Sequence, residues 1–241
     1  MNGRRENGAF LVEGPRAVSQ TGRQFPDCVM EVLVDGTREV PPIRDAPVSR
    51  LTARQFKGVA SSQNPQGIAA VVRLPDDVYS DRPPSEPGRR VLLLDDVQDP
   101  GNVGTLVRSA AAFGFDGILL TAKCADPFAP KCVQASAGSM LSLWLRRTPS
   151  CYALAEELTR EKGFVVIAAD VAGEEQVAGP VEHPFVLALG NEGGGLSERC
   201  RNLARFVMSI PIERERVESL NVAAAGAVCM YSLVSPARRR S

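Results

Sequence analysis

Three polar segments interrupt otherwise apolar stretches of the chain, and each holds side chains suited to gripping a ligand or assisting a reaction. The first, residues 95–110, reads DDVQDPGNVGTLVRSA and contains Asn102 and Arg108. Asn102 is placed to cap a helix. Arg108 falls on the second turn of a helix that is otherwise small and apolar, so its guanidinium fork is expected to meet a partner such as phosphate. The second, residues 187–197, reads LALGNEGGGLS, with Leu189 and Gly190 leading into a glycine-rich turn that carries one carboxylate, Glu192. Glycines let a ligand approach the backbone closely. The pattern is neither G-x-x-x-x-G-K-[ST] nor G-x-G-x-x-G, which gives no support to a phosphate cradle or a dinucleotide fingerprint. The third, residues 209–225, reads SIPIERERVESLNVAAA. There an apolar stretch containing Ile210 meets a proline and a charged loop follows. Ser219, Leu220 and Asn221 then open a helix of small residues, with Ser219 read as its N-cap and residues 223–227 small enough for something to pack very closely.

Each segment lies where a strand gives way to a helix. Apolar runs predict strands at 91–94, 117–120, 164–168, 185–189 and 206–211, and helices are expected at 102–113, 153–162, 197–203 and 219–233. Strands that are apolar throughout and alternate with helices imply an α/β fold whose parallel sheet is covered on both faces. The carboxyl ends of such strands are where open α/β sheets bind ligands. Upstream, apolar runs at 9–12, 29–34 and 68–72, with helix-compatible spacing at 48–59, suggest a second, smaller α/β unit. The tract SDRPPSEPG at 80–88 has three prolines and little to bury, so a domain boundary is placed there, dividing the chain into residues 1–85 and 86–241.

With 241 residues, of which 44% are hydrophobic, the chain is long enough for one large core or two smaller ones, and a disordered or fibrous protein is excluded. Balanced charge, 28 basic against 28 acidic residues, excludes a uniformly basic nucleic-acid coat but leaves room for a local basic surface. Six scattered cysteines with no C-x-x-C pair favour reduced thiols, and with no hydrophobic signal core or run long enough to span a bilayer, a soluble cytoplasmic protein without membrane contact is expected. One histidine, His183, and no clustered Cys/His set give no reason to expect a metal. His183 is read as structural, and the basic run at 238–240 as a solvated tail.

In this order, N-V-G-T-L-V-R-S-A, G-N-E-G-G-G-L, and I-P-I followed by S-L-N-V-A-A-A resemble the three signature motifs of the SpoU/TrmH family of RNA ribose 2′-O-methyltransferases. The resemblance covers essentially all of residues 90–241. The segments F-L-V-E-G-P-R at 10–16 and N-P-Q-G-I at 64–68 further resemble the RNA-binding domain that many members carry at the N-terminus. The resemblance implies a knotted (trefoil) parallel-sheet methyltransferase domain, a homodimer and S-adenosylmethionine as cofactor. By motif position it implies a cofactor site at Leu189, Gly190, Ile210 and Leu220. The polar residues carried over are Asn102, Arg108, Glu192, Ser219 and Asn221. The charged loop at 213–218 departs from the small residues that many members have there.

The resemblance implies that Arg108 meets the substrate phosphate and the target hydroxyl, with some mechanisms making it the base. On physical grounds Arg108 is read as positioning the substrate and stabilising a developing alkoxide, Glu192 as orienting Asn102 or the target nucleotide, and Ser219 and Asn221 as bonding ribose or the motif loops. A protonated guanidinium cannot accept a proton, which leaves the base unassigned. The expected substrate is structured RNA, ribosomal rather than transfer RNA. Transfer RNA, a non-catalytic RNA-binding module of the same fold, and a nucleotide-dependent enzyme of ordinary doubly wound fold are the alternatives.

Overall fold

The computed structural model describes residues 2–36, 38–40, 43–170 and 181–234, so the basic run at 238–240 lies outside the described residues. The strands of the described residues form two sheets. The first has the order β1-β4-β2-β3 and is built from β1 (Ala9–Glu13), β2 (Val29–Asp35), β3 (Val48–Leu51) and β4 (Ile68–Arg73). The helices α1 (Asn2–Asn7), α2 (Pro15–Gln24) and α3 (Ala53–Val59) belong to this part of the chain. The second sheet comprises β5 (Arg90–Leu94), β6 (Gly117–Thr121), β7 (Trp144–Thr148), β8 (Val165–Ala169), β9 (Phe185–Leu189) and β10 (Phe206–Met208). Its order is β10-β8-β9-β5-β6-β7 and every adjacent pair is parallel. Between its strands run α4 (Pro100–Ala112), α5 (Pro130–Ser136), α6 (Cys151–Lys162) and α7 (Glu198–Leu203), and α8 (Val222–Leu233) follows β10.

Side chains alternate across a strand, and this accounts for strands that read as apolar at every position. Leu92, Leu94, Ile118, Leu120, Leu187 and Leu189 point to one core, shared with α4, α5 and α8. Val91, Leu93, Leu119, Val186 and Ala188 point to another, with Leu154 and Leu158 of α6 and Cys200 of α7. After β5 the chain moves out through β6 and β7, then returns to place β9 on the other side of β5. The carboxyl ends of β5 and β9 therefore lie side by side, Leu94 in register with Leu189, at the point where the strand order changes direction.

Three helix starts differ from expectation. Asp99, not Asn102, caps α4, its carboxylate accepting from the Asn102 amide at 2.8 Å with Pro100 at the first helical position. Asn221, not Ser219, caps α8 by accepting from the amides of Ala223 and Ala224. The helical spacing read across 48–59 divides at Thr52, where a reciprocal capping box with Gln55 ends β3 and starts α3.

The proline-rich stretch at 80–88 does not hang free. Arg146 of β7, only 3% exposed, donates to Asp77 and to the Arg82 carbonyl, Thr148 bonds Asp81, and the Trp144 indole donates to the Pro87 carbonyl. The two parts of the chain are also in contact: Phe10 of β1 meets Phe128, before α5, with tilted rings 4.8 Å apart, Arg4 of α1 pairs with Asp126 at 2.7 Å, and one apolar cluster includes residues of both sheets. Contact between the two parts of the chain runs along α5, which packs on β1.

Candidate active site

The turn after β9 is shaped by its own backbone. Asn191 and Gly195 exchange two backbone bonds, at 2.9 and 3.0 Å, and the Asn191 side-chain oxygen accepts from the amides of Gly193 and Gly194. A Cβ on Gly190 would lie 2.2 Å from the Gly195 carbonyl carbon, so the loop can return over this position only if it is glycine. Gly195 sits at φ 65°, a conformation glycine adopts without strain.

This turn is fastened to the loop after β5. Nδ2 of Asn191 donates to the Asp96 carbonyl, and the Glu192 carboxylate accepts from the Asp99 and Gln98 backbone amides and, at 3.0 Å, from Nδ2 of Asn102. Oδ1 of Asn102 in turn accepts from Nδ2 of Asn221 at 3.0 Å. One oriented chain, Asn221 to Asn102 to Glu192, therefore links all three polar segments of the sequence. Burial opposes ionisation of Glu192, but the bonds from Asn102 and from the backbone outweigh it and hold the carboxyl below its ordinary value. The acceptor end of the chain stays charged at neutral pH.

Beside this network is a cleft of about 330 Å³ between the 190–196 turn, the ends of β8 and β10, and the segment leading into α8. Leu189, Gly190, Ile210 and Leu220 line it, as do Glu192, Ser219 and Asn221. Asn102 borders it through its bonds to Glu192 and Asn221. Arg108 is not among the lining residues. It is exposed and unpaired among the described residues, six positions beyond Asn102 and hence about 9 Å further along α4. His183 also lies elsewhere, with Arg89 and Arg90.

Several lining residues were not among the expected site residues: Asp170 after β8, Met208, and Ala225 and Cys229 of α8. Burial pushes the Cys229 thiol up to about 11, leaving it protonated and without nucleophilic character at neutral pH. Gly226 explains the small residues of α8, since a Cβ there would lie 2.4 Å from Leu106 of α4 and 2.6 Å from Leu189 of β9. The cleft offers an apolar floor, exposed backbone groups of a glycine turn, and carboxylates at its edge, a composition suited to a nucleoside-sized ligand. Among the described residues no three His, Cys, Asp or Glu side chains gather as a metal site, and no helix is long and apolar enough to cross a membrane.

The chain is similar to known proteins. The SpoU rRNA Methylase family profile matches residues 89–231. The 23S rRNA (guanosine(2553)-2′-O)-methyltransferase RlmP of Bacillus subtilis is 32% identical over 95% of this chain and 90% of its own length. The 23S rRNA (uridine(2479)-2′-O)-methyltransferase of Streptomyces viridochromogenes is 32% identical over 97% of this chain and 85% of its own. The crystal structure of the SpoU methyltransferase AviRb from S. viridochromogenes superposes with a TM-score of 0.83, at 29% identity and covering 100% of this chain and 93% of that one. Its complex with the cofactor AdoMet gives 0.81 at 30% identity, covering 98% and 92%. With the profile spanning more than half of the chain and relatives matching nearly end to end, the chain belongs to the SpoU rRNA methylase family.

Proposed function

We propose that this protein methylates a ribose 2′-hydroxyl of ribosomal RNA with S-adenosylmethionine as donor. The observation that carries the reading is the convergence of the three segments on one cleft, where seven of the nine residues expected at the site form the lining and an eighth, Asn102, is bonded to two of them. Its volume, glycine turn and apolar residues fit an adenosine-bearing cofactor, with Leu189, Gly190, Ile210 and Leu220 as the residues that hold it. When bound, S-adenosylmethionine supplies a methyl group activated by a sulfonium.

The chain's own residues do the rest by orientation and charge. Glu192, through Asn102 and Asn221, keeps the two loops and the start of α8 at fixed spacing. Ser219 lines the cleft, and its hydroxyl, without a partner among the described residues, bonds ribose. Arg108 holds the RNA phosphate and stabilises negative charge on the attacking oxygen.

The reading extends to organisation. Residues 1–85 form the RNA-binding module and residues 86–241 the catalytic domain. Passage of the 209–221 segment beside the 190–196 turn, with α8 tight against α4 and β9, supports a trefoil knot. Exposed Val228 and Tyr231 share one face of α8 and supply an apolar surface for a homodimer. Five buried thiols suit a cytoplasmic location. Calorimetry with S-adenosylmethionine, ATP and NAD tests the reading: saturable binding of the first alone is expected, and absence of that binding by folded protein removes it.

A further inference from the structure

Asp95, at the carboxyl end of β5, is 1% exposed, and none of the segment's expected roles falls on it. A carboxylate so deeply removed from water is costly unless its oxygens are satisfied. Among the described residues no cationic side chain pairs with it. Its oxygens instead accept from the Tyr152 hydroxyl of α6 and, at 2.7 Å, from the Ser197 amide. Its own amide donates to the Leu189 carbonyl at 2.8 Å. Leu189 is the last residue before the glycine turn and Ser197 the first after it, so both ends of the turn close on one buried residue.

The lock has a second layer. The Tyr152 hydroxyl also lies 3.1 Å from the Ser197 hydroxyl, which caps α7 by accepting from the Cys200 amide. The Arg199 guanidinium covers the Tyr152 ring at 4.8 Å. None of Asp95, Tyr152 and Ser197 lines the cleft. Any effect they have on the cleft is therefore transmitted through the turn they hold.

We propose that Asp95 is a positioning residue for cofactor binding, clamping the entry and exit of the 190–196 turn so that its backbone presents the shape the cofactor requires, with Tyr152 as the group that holds Asp95 in place. The proposal rests on the cleft being the S-adenosylmethionine site. It predicts that the clamp governs cofactor affinity and leaves the transfer step alone.

The test uses the full chain with Asp95→Ala, Asp95→Asn and Tyr152→Phe, measuring S-adenosylmethionine Kd by calorimetry, KM and kcat for methyl transfer to ribosomal RNA, and the melting temperature. Asp95→Ala leaves the Ser197 amide and the Tyr152 hydroxyl without their buried acceptor, and KM and Kd for the cofactor should rise about tenfold or more. At saturating cofactor kcat should stay within about twofold of the parent, because the turn is restored by binding. Asp95→Asn should recover most of the affinity, since its carbonyl can accept from Ser197 while its amide donates to the Tyr152 oxygen. Tyr152→Phe should raise KM about threefold with kcat preserved. A folded Asp95→Ala with parental Kd, or a fall in kcat with unchanged KM, overturns the proposal. If Asp95→Ala does not fold, Tyr152→Phe decides, and parental affinity there overturns it. Failure of the parent protein itself to bind S-adenosylmethionine would instead remove the functional reading beneath it.

Discussion

Asn102 accepts from Asn221 through its side-chain oxygen and donates to Glu192 through its side-chain nitrogen, both at 3.0 Å. The amide is thereby used from both ends, and only asparagine at this position satisfies an amide donor on one side and a carboxylate on the other. Asn102→Asp should be more damaging than Asn102→Ala. The aspartate places a second carboxylate against Glu192, whereas alanine only removes two bonds and costs about 1 kcal/mol of stability. Urea denaturation and methyl-transfer rates of the two variants check the order, and equal behaviour would contradict an oriented relay.

Glu192 sets the acid limit of that relay. Its folded-state pKa lies below the ordinary value of 4.5, so its ionisation stabilises the fold above that pH and the contribution is lost as pH falls through the lower, native value. The gap in urea midpoint between parent and Glu192→Gln should accordingly be constant from about pH 8 to about pH 5 and shrink toward about pH 3. A gap that persists undiminished at the acid end would mean that the charge on Glu192 contributes nothing.

Gly190→Ala tests the turn directly. The added methyl meets the Gly195 carbonyl carbon and the Leu196 amide at 2.2 and 2.3 Å, both backbone, so the turn must open. Cofactor binding should fall about tenfold or more while the sheet, anchored by β5 and β9, persists. Calorimetry and far-UV circular dichroism separate the two effects. The steric conflict is thus with the loop's own return rather than with ligand space.

Asp77→Ala removes the carboxylate facing the buried Arg146 guanidinium, which keeps its bonds to the Arg82 and Leu145 carbonyls. A loss of about 1–2 kcal/mol is expected in urea denaturation, since one charge-assisted bond disappears while the rest remain. An unchanged midpoint would show that the 74–88 segment is a tether after all.

Legibility in the sequence followed from local chemistry. The strands at 91–94, 117–120 and 185–189 were legible because both faces of the sheet are covered, leaving no polar position to interrupt the run. β7 was not, because WLRRT looks like a surface segment until Asp77 and the carbonyls of Ala122 and Cys124 are seen to satisfy its two arginines. α5 was hidden by its brevity, seven residues followed by Ala137 in the left-handed region. Motif order pointed to the residues of the cleft, but their wiring was not visible. Asp99 and Asn221 as caps could have been read from Pro100 after the one and the small-residue helix after the other. Asp95 gave no signal, since its role depends on a tyrosine 57 positions away.

Arg108 carries the central claim, because it is the expected site residue that stands apart from the cleft, and the proposed function gives it RNA phosphate as its partner. The most direct measurement is transfer of radiolabelled methyl from S-adenosylmethionine to ribosomal and transfer RNA by the parent and by Arg108→Ala, followed by nucleoside analysis. The parent is expected to label a ribose 2′-hydroxyl of ribosomal RNA, and Arg108→Ala to bind cofactor normally, to bind RNA more weakly by the loss of one phosphate contact, and at saturating RNA to transfer about a hundredfold more slowly. Label on a base or on protein, label confined to transfer RNA, or transfer unaffected by Arg108→Ala would contradict the account.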